Sequence, residues 1–278
     1  MPRLVVVPTP IGNLEDITLR ALRALNEVDL VLAEDTRHTR RLFSHFGIST
    51  RLLSYHQHNK IDRLATVLRT LEGADVALVS NAGTPAVSDP GFELINAVIR
   101  EGIELDVLPG ASALVTAVVG AALPAPGFVF GGFLPRRAAQ RREHLAGLAA
   151  LPETLIFYEA PHRILAVLAD MLAVLGNRRM VVARELTKVH QEWVRGTIAE
   201  IADRYAAETA RGEMTLVIAG ALQPQSPDRG DAESEMRKMR ERGEARQVVL
   251  DAISASHGLS RNEAYRLWLS LDAEHPAD

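Results

Sequence analysis

The chain contains no cysteine among its 278 residues. This absence excludes disulfide bonds, thiolate nucleophiles and cysteine-ligated zinc, and it is compatible with a reducing cytoplasm. Two common nucleotide-binding signatures are also missing. No G-x-G-x-x-G follows a predicted strand, and no G-x-x-x-x-G-K-[ST] occurs. A nucleotide-like ligand would therefore have to be held by loops of another kind.

The chain also lacks a strong excess of either charge. Its 31 Lys and Arg residues oppose 35 Asp and Glu residues, which gives a formal net charge of −4 at pH 7. Any surface that binds nucleic acid must therefore be a local basic patch. With 47% hydrophobic and 24% charged residues, the composition is that of a folded soluble protein, and the length allows two domains.

A long uninterrupted hydrophobic run is missing as well. Residues 111–134 carry no charge and are numerous enough to cross a bilayer. Pro124, Pro126 and Gly131 break this stretch, so we interpret it as a buried helix, a turn and a strand. The apolar run at the N-terminus is too short for a signal peptide. We expect a cytoplasmic protein without a membrane segment.

The first half of the chain alternates short apolar runs with segments of helical spacing. The apolar runs of strand length lie at 4–7, 30–33, 52–55, 76–79 and 105–108. Strands that alternate with helices predict a mostly parallel sheet in an N-terminal α/β domain over 1–122. We expect Asp16 to cap the first helix, and Ser88 or Asp89 to cap a helix that starts at Pro90.

The second half mixes strands and helices differently. Residues 123–127 are the best candidate for a linker, and a C-terminal α/β domain is predicted over 128–222. Its strands are predicted at 128–133, 154–158, 180–183, 192–195 and 214–219. The strands near 180 and 192 are too close to enclose a helix. They therefore predict an antiparallel pair and a mixed sheet.

The composition changes again after residue 222. Residues 223–235 are rich in Pro, Ser, Gly and Asp and are interpreted as a flexible linker. Residues 236–271 contain two helical stretches, and Ser260 is placed to cap the second. Because two helices bury little apolar surface, we expect a small helical extension without a stable core of its own.

The stretch 76–91 organises the chain around it. An apolar strand ends abruptly in small residues, among them Gly83, whose missing Cβ lets a ligand approach the backbone closely. Such loops line ligand crevices at the carboxyl ends of parallel strands. The same sheet edge should also collect the loops at 8–13, 34–38, 56–59 and 109–112. We therefore predict one crevice there, with plain strand-to-helix connections as the alternative.

Seven motifs in a fixed order between residues 3 and 220 resemble those of one known family. They are P-T-P-I-G-N-L from Pro8, A-E-D-T-R from Ala33, S-N-A-G-T-P from Ser80, S-D-P-G from Ser88, P-G-x-S from Pro109, F-Y-E-A-P-H-R from Phe157 and A-R-E-L-T-K from Ala183. The chain is similar to the small-subunit ribosomal RNA methyltransferase I family of the tetrapyrrole (corrin/porphyrin) methylase superfamily. This resemblance implies a fold of two α/β domains with a cofactor in the cleft between them.

The resemblance also implies an activity and partners. The activity is S-adenosylmethionine-dependent 2′-O-methylation of a cytidine in 16S ribosomal RNA, at the decoding centre. The partners are the small ribosomal subunit and a second copy of the chain, in a homodimer. Asn81 and Gln57 stand where many members have acids, which removes two carboxylates from the crevice. Three alternatives stay open: a tetrapyrrole or corrin methyltransferase, a non-catalytic RNA-binding assembly factor, and a metal hydrolase that uses the histidines.

Small residues and backbone groups at the strand ends suit a folded adenosine and a methionine tail. The predicted cofactor-binding residues are Pro10, Gly12, Asn81, Ala82, Gly83, Thr84, Val87, Ser112, Tyr158, Ala183 and Thr215. For Ala183 and Thr215, plain strand packing is the alternative interpretation, because one face of any strand belongs to a core.

Asp35, His56, Glu185 and Lys188 are the candidate catalytic residues. Histidine is the usual general base near neutral pH. Asp35 lies beside Arg37 in sequence, so it is better suited to orientation than to proton abstraction, and it can also cap a helix. Lys188 is suited to orienting the ribose or a phosphate, with an exposed solvated lysine as the alternative.

RNA binding requires positive charge near the cleft. Four arginines lie within the seven positions 136–142, with no acid among them, directly after a predicted strand. The predicted RNA-binding residues are Arg37, Arg136, Arg137, Arg141 and Arg142. A solvated helix face is the alternative. No metal is expected, because His56 and His58 are placed in a loop without a carboxylate-histidine signature.

Overall fold

The computed structural model describes residues 2–57, 59–123, 127–221 and 229–273. The chain forms two compact units, Met1–Ala221 and Leu222–Asp278. The first unit contains two sheets of five strands each. The centre of the expected linker at 123–127 lies outside the described residues. None of the helices in the described ranges is long and apolar enough to cross a membrane.

The first sheet is entirely parallel, in agreement with the prediction, and its strand order is β3-β2-β4-β1-β5. Its strands are β1 (Arg3–Val6), β2 (Leu30–Ala33), β3 (Leu52–Ser54), β4 (Val76–Val79) and β5 (Glu104–Val107). The helices that follow them are α1 (Leu19–Glu27), α2 (Thr36–Phe46), α3 (Lys60–Leu71), α4 (Phe92–Arg100) and α5 (Ala113–Ala121). Because the strands are parallel, their carboxyl ends share one edge.

Successive side chains of the central strands supply two separate cores, because they point to opposite faces of the sheet. Val5 and Val31 pack on the side covered by α1 and α2, and Leu4 and Leu32 on the side covered by α3 and α4. None of these four side chains is more than 1% exposed. Burial on both faces is what continuous apolar strands of a parallel sheet require.

The second sheet is mixed, also in agreement with the prediction, and its order is β6-β7-β10-β8-β9. Its strands are β6 (Phe128–Phe133), β7 (Thr154–Glu159), β8 (Arg179–Arg184), β9 (Glu192–Thr197) and β10 (Met214–Ile218). Only β6 and β7 are parallel neighbours. One face is covered by α6 (Ala138–Leu148), α7 (Ile164–Leu175) and α8 (Ile198–Ala207).

Helix α5 covers the opposite face of the second sheet, although it follows the last strand of the first. Its residues Ala117 and Ala121 lie in one apolar cluster with Ile156, Val181 and Val217 of the second sheet. The helix is apolar on nearly all sides; Ala117 and Ala121 are buried, while Val115 and Val119 are more than half exposed. The carboxyl-end loops of the first sheet thereby reach the second sheet within one compact unit.

The predicted cap of the first helix is wrong. Asp16 ends a short 3-10 turn, Leu14–Asp16, and the cap of α1 is Thr18. The Thr18 hydroxyl accepts a hydrogen bond from the amide of Ala21 at 3.0 Å. Both residues are acceptable cap types, and the extra turn decides between them because it shifts the helix start by two residues.

Within its described residues, 229–273, the C-terminal unit has three helices and a core, which differs from the prediction. They are α9 (Arg229–Glu241), α10 (Arg246–His257) and α11 (Arg261–Ala273). Met236, Val249, Ile253 and Ala264 are fully buried in one cluster. Helix α9 occupies much of the predicted linker at 223–235, while 222–228 lie outside the described residues. Helix α9 has few apolar residues, so its sequence did not predict a helix of the core. Its Ala232 and Met236 complete the cluster that buries α10 and α11.

Ser260 caps α11 as predicted. Its hydroxyl accepts a hydrogen bond from the amide of Glu263 at 3.3 Å, and the Glu263 carboxylate in turn accepts one from the Ser260 amide at 2.8 Å. This reciprocal arrangement satisfies two amide groups at the helix start.

Candidate active site

The loops after β1 and β4 are tied together at the carboxyl edge of the first sheet. Thr9 and Gly83 exchange two backbone hydrogen bonds of 3.0 and 2.9 Å. The Thr9 hydroxyl also donates to the carbonyl of Ser80 at 3.2 Å. Gly83 has a φ of 75°, a left-handed conformation that side chains disfavour. The tight loop predicted from the sequence is therefore present, and glycine is required in it.

A third loop, after β5, closes the same edge. The Thr84 hydroxyl donates to the carbonyl of Ala111 at 3.4 Å. Gly110 lies against Pro8 so closely that a Cβ at position 110 would be 2.6 Å from the Pro8 Cβ. Ser112 caps α5 by accepting a hydrogen bond from the amide of Val115 at 3.5 Å. The Ser112 hydroxyl, which was predicted to contact the cofactor, is therefore already engaged in capping α5.

Three residues predicted to bind the cofactor form one row across the second sheet. Thr215 on β10 pairs with Tyr158 on β7 and with Ala183 on β8. Thr215 is 3% exposed, and Ala183 is 1% exposed within the apolar cluster under α5. Ile11, from the loop after β1, packs against the same cluster. The row therefore faces the first sheet's loops, and for Ala183 the packing interpretation also holds.

The remaining predicted cofactor residues differ in exposure. Pro10 is buried, whereas Ala82 is exposed and Val87 is 49% exposed. A Cβ added at Gly83 would contact Ile11 Cγ2 at 3.4 Å and the carbonyl of Ala111 at 3.7 Å. A side chain there would narrow the space between the loops. Small residues thus line the crevice and leave room for a ligand of nucleoside size.

Lys188 and Glu185 belong to one ion-pair network between β8 and β9. The Lys188 ammonium donates to Glu185 at 2.8 Å and to Glu213 at 3.0 Å. Burial alone would raise the pKa of Glu185, but the hydrogen bonds from Lys188 and the Glu213 amide outweigh it and lower that pKa. Burial likewise opposes the charge of Lys188, yet its two carboxylate partners raise its pKa. Glu185 is therefore a weak base and Lys188 a stable cation.

The backbone of this network is strained and touches the first sheet. Glu185 and Thr187 have φ values of 50° and 63°. The Asn13 amide donates to the Thr187 hydroxyl at 3.0 Å. A Cβ at Gly12 would come within 2.5 Å of Lys188 Cγ. Non-glycine residues at positive φ gather at functional sites, and glycine at position 12 permits the close approach.

Asp35 is a helix cap, which was one of its two interpretations. Its carboxylate accepts a hydrogen bond from the Arg37 amide at 2.8 Å, and this bond is the main cause of its lowered pKa. The Asp35 amide donates to the side-chain oxygen of Asn81 at 3.2 Å. The backbone amide of Asn81 donates to the Glu34 carboxylate at 3.4 Å. Asn81 therefore joins the loops after β2 and β4 through an amide oxygen that does not need a negative charge.

His56 lies after β3, on the edge strand of the first sheet. Its backbone amide donates to the side-chain oxygen of Asn59 at 2.8 Å, and its ring Nε2 lies 3.2 Å from the Asn59 nitrogen. His58 lies outside the described residues. Within the ranges that the structure describes, no group of three or more His, Asp or Glu side chains could hold a metal ion.

Asp89 is a functional candidate that the sequence reasoning took for a helix cap. Helix α4 begins at Phe92, after Gly91 with a φ of 144°, so neither Ser88 nor Asp89 caps it. Burial, together with the charges of Glu34 and Glu213, raises the pKa of Asp89 to about 6, and a hydrogen bond from Ser80 opposes that rise. The D-P-G sequence was the available signal, because a glycine after the proline can turn the chain before the helix starts.

The arginines predicted to bind RNA separate into two kinds. Arg141 is 5% exposed, and its Nε donates to Asp170 at 2.7 Å. Its Nη1 donates to the carbonyl oxygens of Pro135 and Arg136. This burial corrects the prediction for Arg141, whose guanidinium holds the chain together instead of facing solvent. Tertiary pairing with a helix 29 residues away along the chain caused the difference.

The other predicted arginines are exposed. Arg136 and Arg137 lie at the start of α6, Arg142 is 3.7 Å from Asp170, and Arg37 is 87% exposed beside Asp35. A cleft of about 450 Å³ opens in this region. It is lined by Arg136, Arg141, His162, Arg163 and Ala166. His162 and Arg163 were not predicted, although they end the F-Y-E-A-P-H-R motif.

Comparisons with known proteins agree with this arrangement. Residues 3–202 match the family model described as Tetrapyrrole (Corrin/Porphyrin) Methylases. The chain is 48% identical to the ribosomal RNA small subunit methyltransferase I of Halalkalibacterium halodurans, over 81% of this chain and 78% of that protein. It is 43% identical to the protein of the same name from Synechocystis, over 98% and 99%.

The fold is also found in solved structures. Cobalt precorrin-4 methyltransferase is similar with a TM-score of 0.61 at 19% identity, covering 78% of this chain and 94% of that one. Uroporphyrin-III C-methyltransferase from Thermus thermophilus, complexed with S-adenyl homocysteine, has a TM-score of 0.55 at 21% identity, covering 77% and 96%. At these identities the likeness concerns the fold, and it matches the two sheets described above.

Proposed function

Because this chain belongs to the ribosomal RNA small subunit methyltransferase I family of the tetrapyrrole methylases, we propose that it methylates the 2′-oxygen of a cytidine in 16S ribosomal RNA. S-adenosylmethionine is the methyl donor. The observation that carries the proposal is the crevice in which the loops after β1, β4 and β5 meet the second sheet's row of Tyr158, Thr215 and Ala183.

The donor would be held by the loop after β4 and by small residues around it. Ala82 and Thr84 flank Gly83, whose own amide and carbonyl are paired with Thr9, and Gly12 and Tyr158 border the space. When bound, S-adenosylmethionine supplies an activated methyl group, so the chain has mainly to position the acceptor and exclude water. Rigid backbone ties such as the Thr9–Gly83 pair preorganise the site for this task.

Charged residues around the crevice have distinct tasks in this function. Lys188 keeps its positive charge and is placed to orient a phosphate or ribose hydroxyl. Asp35 fixes the start of α2 and the position of Asn81. His56 remains a candidate for proton handling at the edge strand. Glu185 acts on Lys188 and positions it, because its Oε1 already accepts hydrogen bonds from the Lys188 ammonium and the Glu213 amide.

RNA would approach the surface around the 450 Å³ cleft, which the exposed Arg136 lines and near which Arg137 and Arg142 lie in sequence. Positive charge on this surface comes from Arg136, Arg137 and Arg142. Asp170 binds Arg141 at 2.7 Å but lies 3.7 Å from Arg142, so it neutralises Arg141 more fully. Phosphate contacts of this kind fix the register of an RNA without reading its sequence. We propose that the substrate is presented by the small ribosomal subunit, that the enzyme works in the cytoplasm, and that it acts as a homodimer.

Methyl transfer to small ribosomal subunits from cells that lack this protein tests the function. We expect label from S-adenosylmethionine on the 2′-oxygen of one cytidine. Label on a base atom, or none on RNA together with transfer to a tetrapyrrole, would overturn the proposal. Binding of the cofactor without any transfer would select the assembly factor instead.

A matched pair of glycine variants links that activity to the crevice. Gly83→Ala places a side chain at a φ of 75° and should weaken both cofactor binding and methyl transfer at least tenfold. Gly147→Ala, in α6 where a Cβ meets nothing within 4 Å, should change neither. Equal effects of the two substitutions would show that the loop after β4 does not hold the cofactor.

A further inference from the structure

Asp89 stands where four elements of both sheets converge. The groups that act on its carboxylate are Ser80 at the end of β4, Glu34 after β2 and Glu213 before β10. Its own charge acts in turn on the hydroxyl of Tyr158 on β7. Among the described residues, none of these neighbours is a cation. Glu213 is itself paired with the Lys188 ammonium at 3.0 Å, so Glu34 is the like charge that acts most strongly on the Asp89 carboxylate.

The backbone on both sides of Asp89 contains residues with positive φ. Ala86 has a φ of 65°, which is disfavoured for a side chain with a Cβ. Gly91 has a φ of 144°, and a Cβ there would lie 2.8 Å from Leu78 Cδ2 of β4. On the opposite side, a Cβ at Gly132 of β6 would lie 3.8 Å from the Ser88 hydroxyl. The segment from residue 84 to 91 is thus bent between the two sheets.

Two other acids of the crevice, Glu185 and Asp35, are poor proton acceptors. Glu185 is bound by Lys188, and Asp35 is bound by the Arg37 amide, so the pKa of each is lowered. Burial and the neighbouring Glu34 raise the pKa of Asp89 to about 6. A general base works best when its pKa lies near the operating pH. Asp89 meets this condition.

We propose that the Asp89 carboxylate accepts the proton of the ribose 2′-hydroxyl during methyl transfer. The inference rests on the proposed function. As the new oxygen–carbon bond forms, the sulfur–carbon bond of the donor breaks and its electron pair remains on sulfur. The hydroxyl proton passes to Asp89, which later releases it to water. The products are the methyl ether, neutral S-adenosylhomocysteine and one proton.

Asp89→Asn tests this role, because asparagine keeps the size of the side chain and can still accept a hydrogen bond from Ser80. In the wild-type protein, the rate of transfer should rise about tenfold per pH unit below pH 6 and then level off. The variant should be about 10²- to 10⁴-fold slower at pH 7.5 and should lose that rise. Its affinity for S-adenosylmethionine, measured by equilibrium dialysis, should stay within about twofold of the wild type.

Two neighbouring substitutions should move the pH profile in opposite directions. Glu34→Gln removes a charge that raises the pKa of Asp89, so the rise in rate should shift to lower pH. Ser80→Ala removes a hydrogen bond that lowers this pKa, so the rise should shift to higher pH. Opposite shifts cannot result from a general loss of folding, and they keep the test decisive if one variant is inactive.

Three results would overturn the proposal. One is a wild-type rate and pH profile in Asp89→Asn. Another is a loss of cofactor affinity in parallel with the rate, which would make Asp89 a cofactor ligand. The third is the absence of opposite shifts in Glu34→Gln and Ser80→Ala. Failure of the proposed function itself is recognised separately, because it appears in the wild-type protein as label at an atom other than a ribose 2′-oxygen.

Discussion

Asp170 and Asp89 are both carboxylates withdrawn from solvent, but their neighbours have opposite charges. Asp170 on α7 is 8% exposed, and its Oδ2 accepts a hydrogen bond from Nε of the buried Arg141 at 2.7 Å. Nε of Arg142, a second cation, lies 3.7 Å from its Oδ1. Asp89 has Glu34 and Glu213 as charged neighbours. One arrangement neutralises a buried charge, and the other places a second carboxylate, Glu34, near the first.

The difference separates a structural acid from a functional one. Asp170 and Arg141 tie α7 to α6 and to the loop that leaves β6, so their pairing stabilises the second sheet's helical layer. The ionised form of Asp89 opposes folding, because burial and Glu34 both disfavour its charge. Strongly perturbed carboxyl groups in clefts are candidates for function on physical grounds. Three predictions break or sharpen this contrast.

Asp170→Ala should have the largest effect on stability. Without its partner, Arg141 is left as a buried, uncompensated charge, and the free energy of unfolding should fall by about 3–5 kcal/mol. Urea unfolding followed by circular dichroism measures the loss. The double variant R141M/D170L should recover most of it, since an apolar pair of similar size often replaces a buried ion pair. A loss below about 1 kcal/mol in Asp170→Ala would contradict the structural role.

Asp89→Asn should instead increase the free energy of unfolding. Because the pKa of Asp89 is raised from 3.8 to about 6 in the folded protein, the folded state binds this proton more tightly than the unfolded chain. The stability from protonation is complete below pH 3.8 and is lost as the pH rises through 6. At pH 7.5 the variant should be about 1–2 kcal/mol more stable than the wild type, a value reduced for partial solvent exposure.

The pH dependence is the control for that prediction. The stability difference between wild type and Asp89→Asn, measured by urea unfolding without cofactor, should shrink towards zero below pH 4. An equal or lower stability of the variant at pH 7.5 would show that Asp89 is not destabilised by its neighbours. A gain in stability together with a loss of activity would set Asp89 apart from Asp170.

Arg136→Ala should change stability least, by no more than about 0.5 kcal/mol, because the side chain is exposed. Its effect should appear in RNA binding instead. The slope of log affinity against log salt should become shallower by about 0.7–0.9 if Arg136 contacts one phosphate. Filter binding to 16S ribosomal RNA between 50 and 200 mM salt measures this slope.

Arg100→Ala is the matched control for Arg136. Arg100 is an exposed arginine at the end of α4. A helix that follows a parallel strand returns towards the amino ends of the sheet, so this arginine lies away from the crevice edge. The salt slope should stay unchanged in this variant. A slope that changes equally in both variants would show that RNA senses only the overall charge of the protein.

The sequence was sufficient where local pattern and topology agree. Continuous apolar runs predicted the buried strands of both sheets, and the short gap between β8 and β9 predicted an antiparallel pair. It failed where a distant residue decides the outcome. Arg141 was taken for an RNA contact because Asp170 is 29 residues away, and the C-terminal core was missed because it needs α9.

The amino-acid sequence by itself determined the fold class, the family and the loops that form the crevice. These depend on apolar periodicity, on glycine and proline positions and on short motifs, all of which are local in the chain. Only the tertiary structure decided which charges are neutralised. Burial and pairing depend on side chains brought together from both sheets, which is why Arg141 became a structural residue and Asp89 the perturbed acid of the crevice.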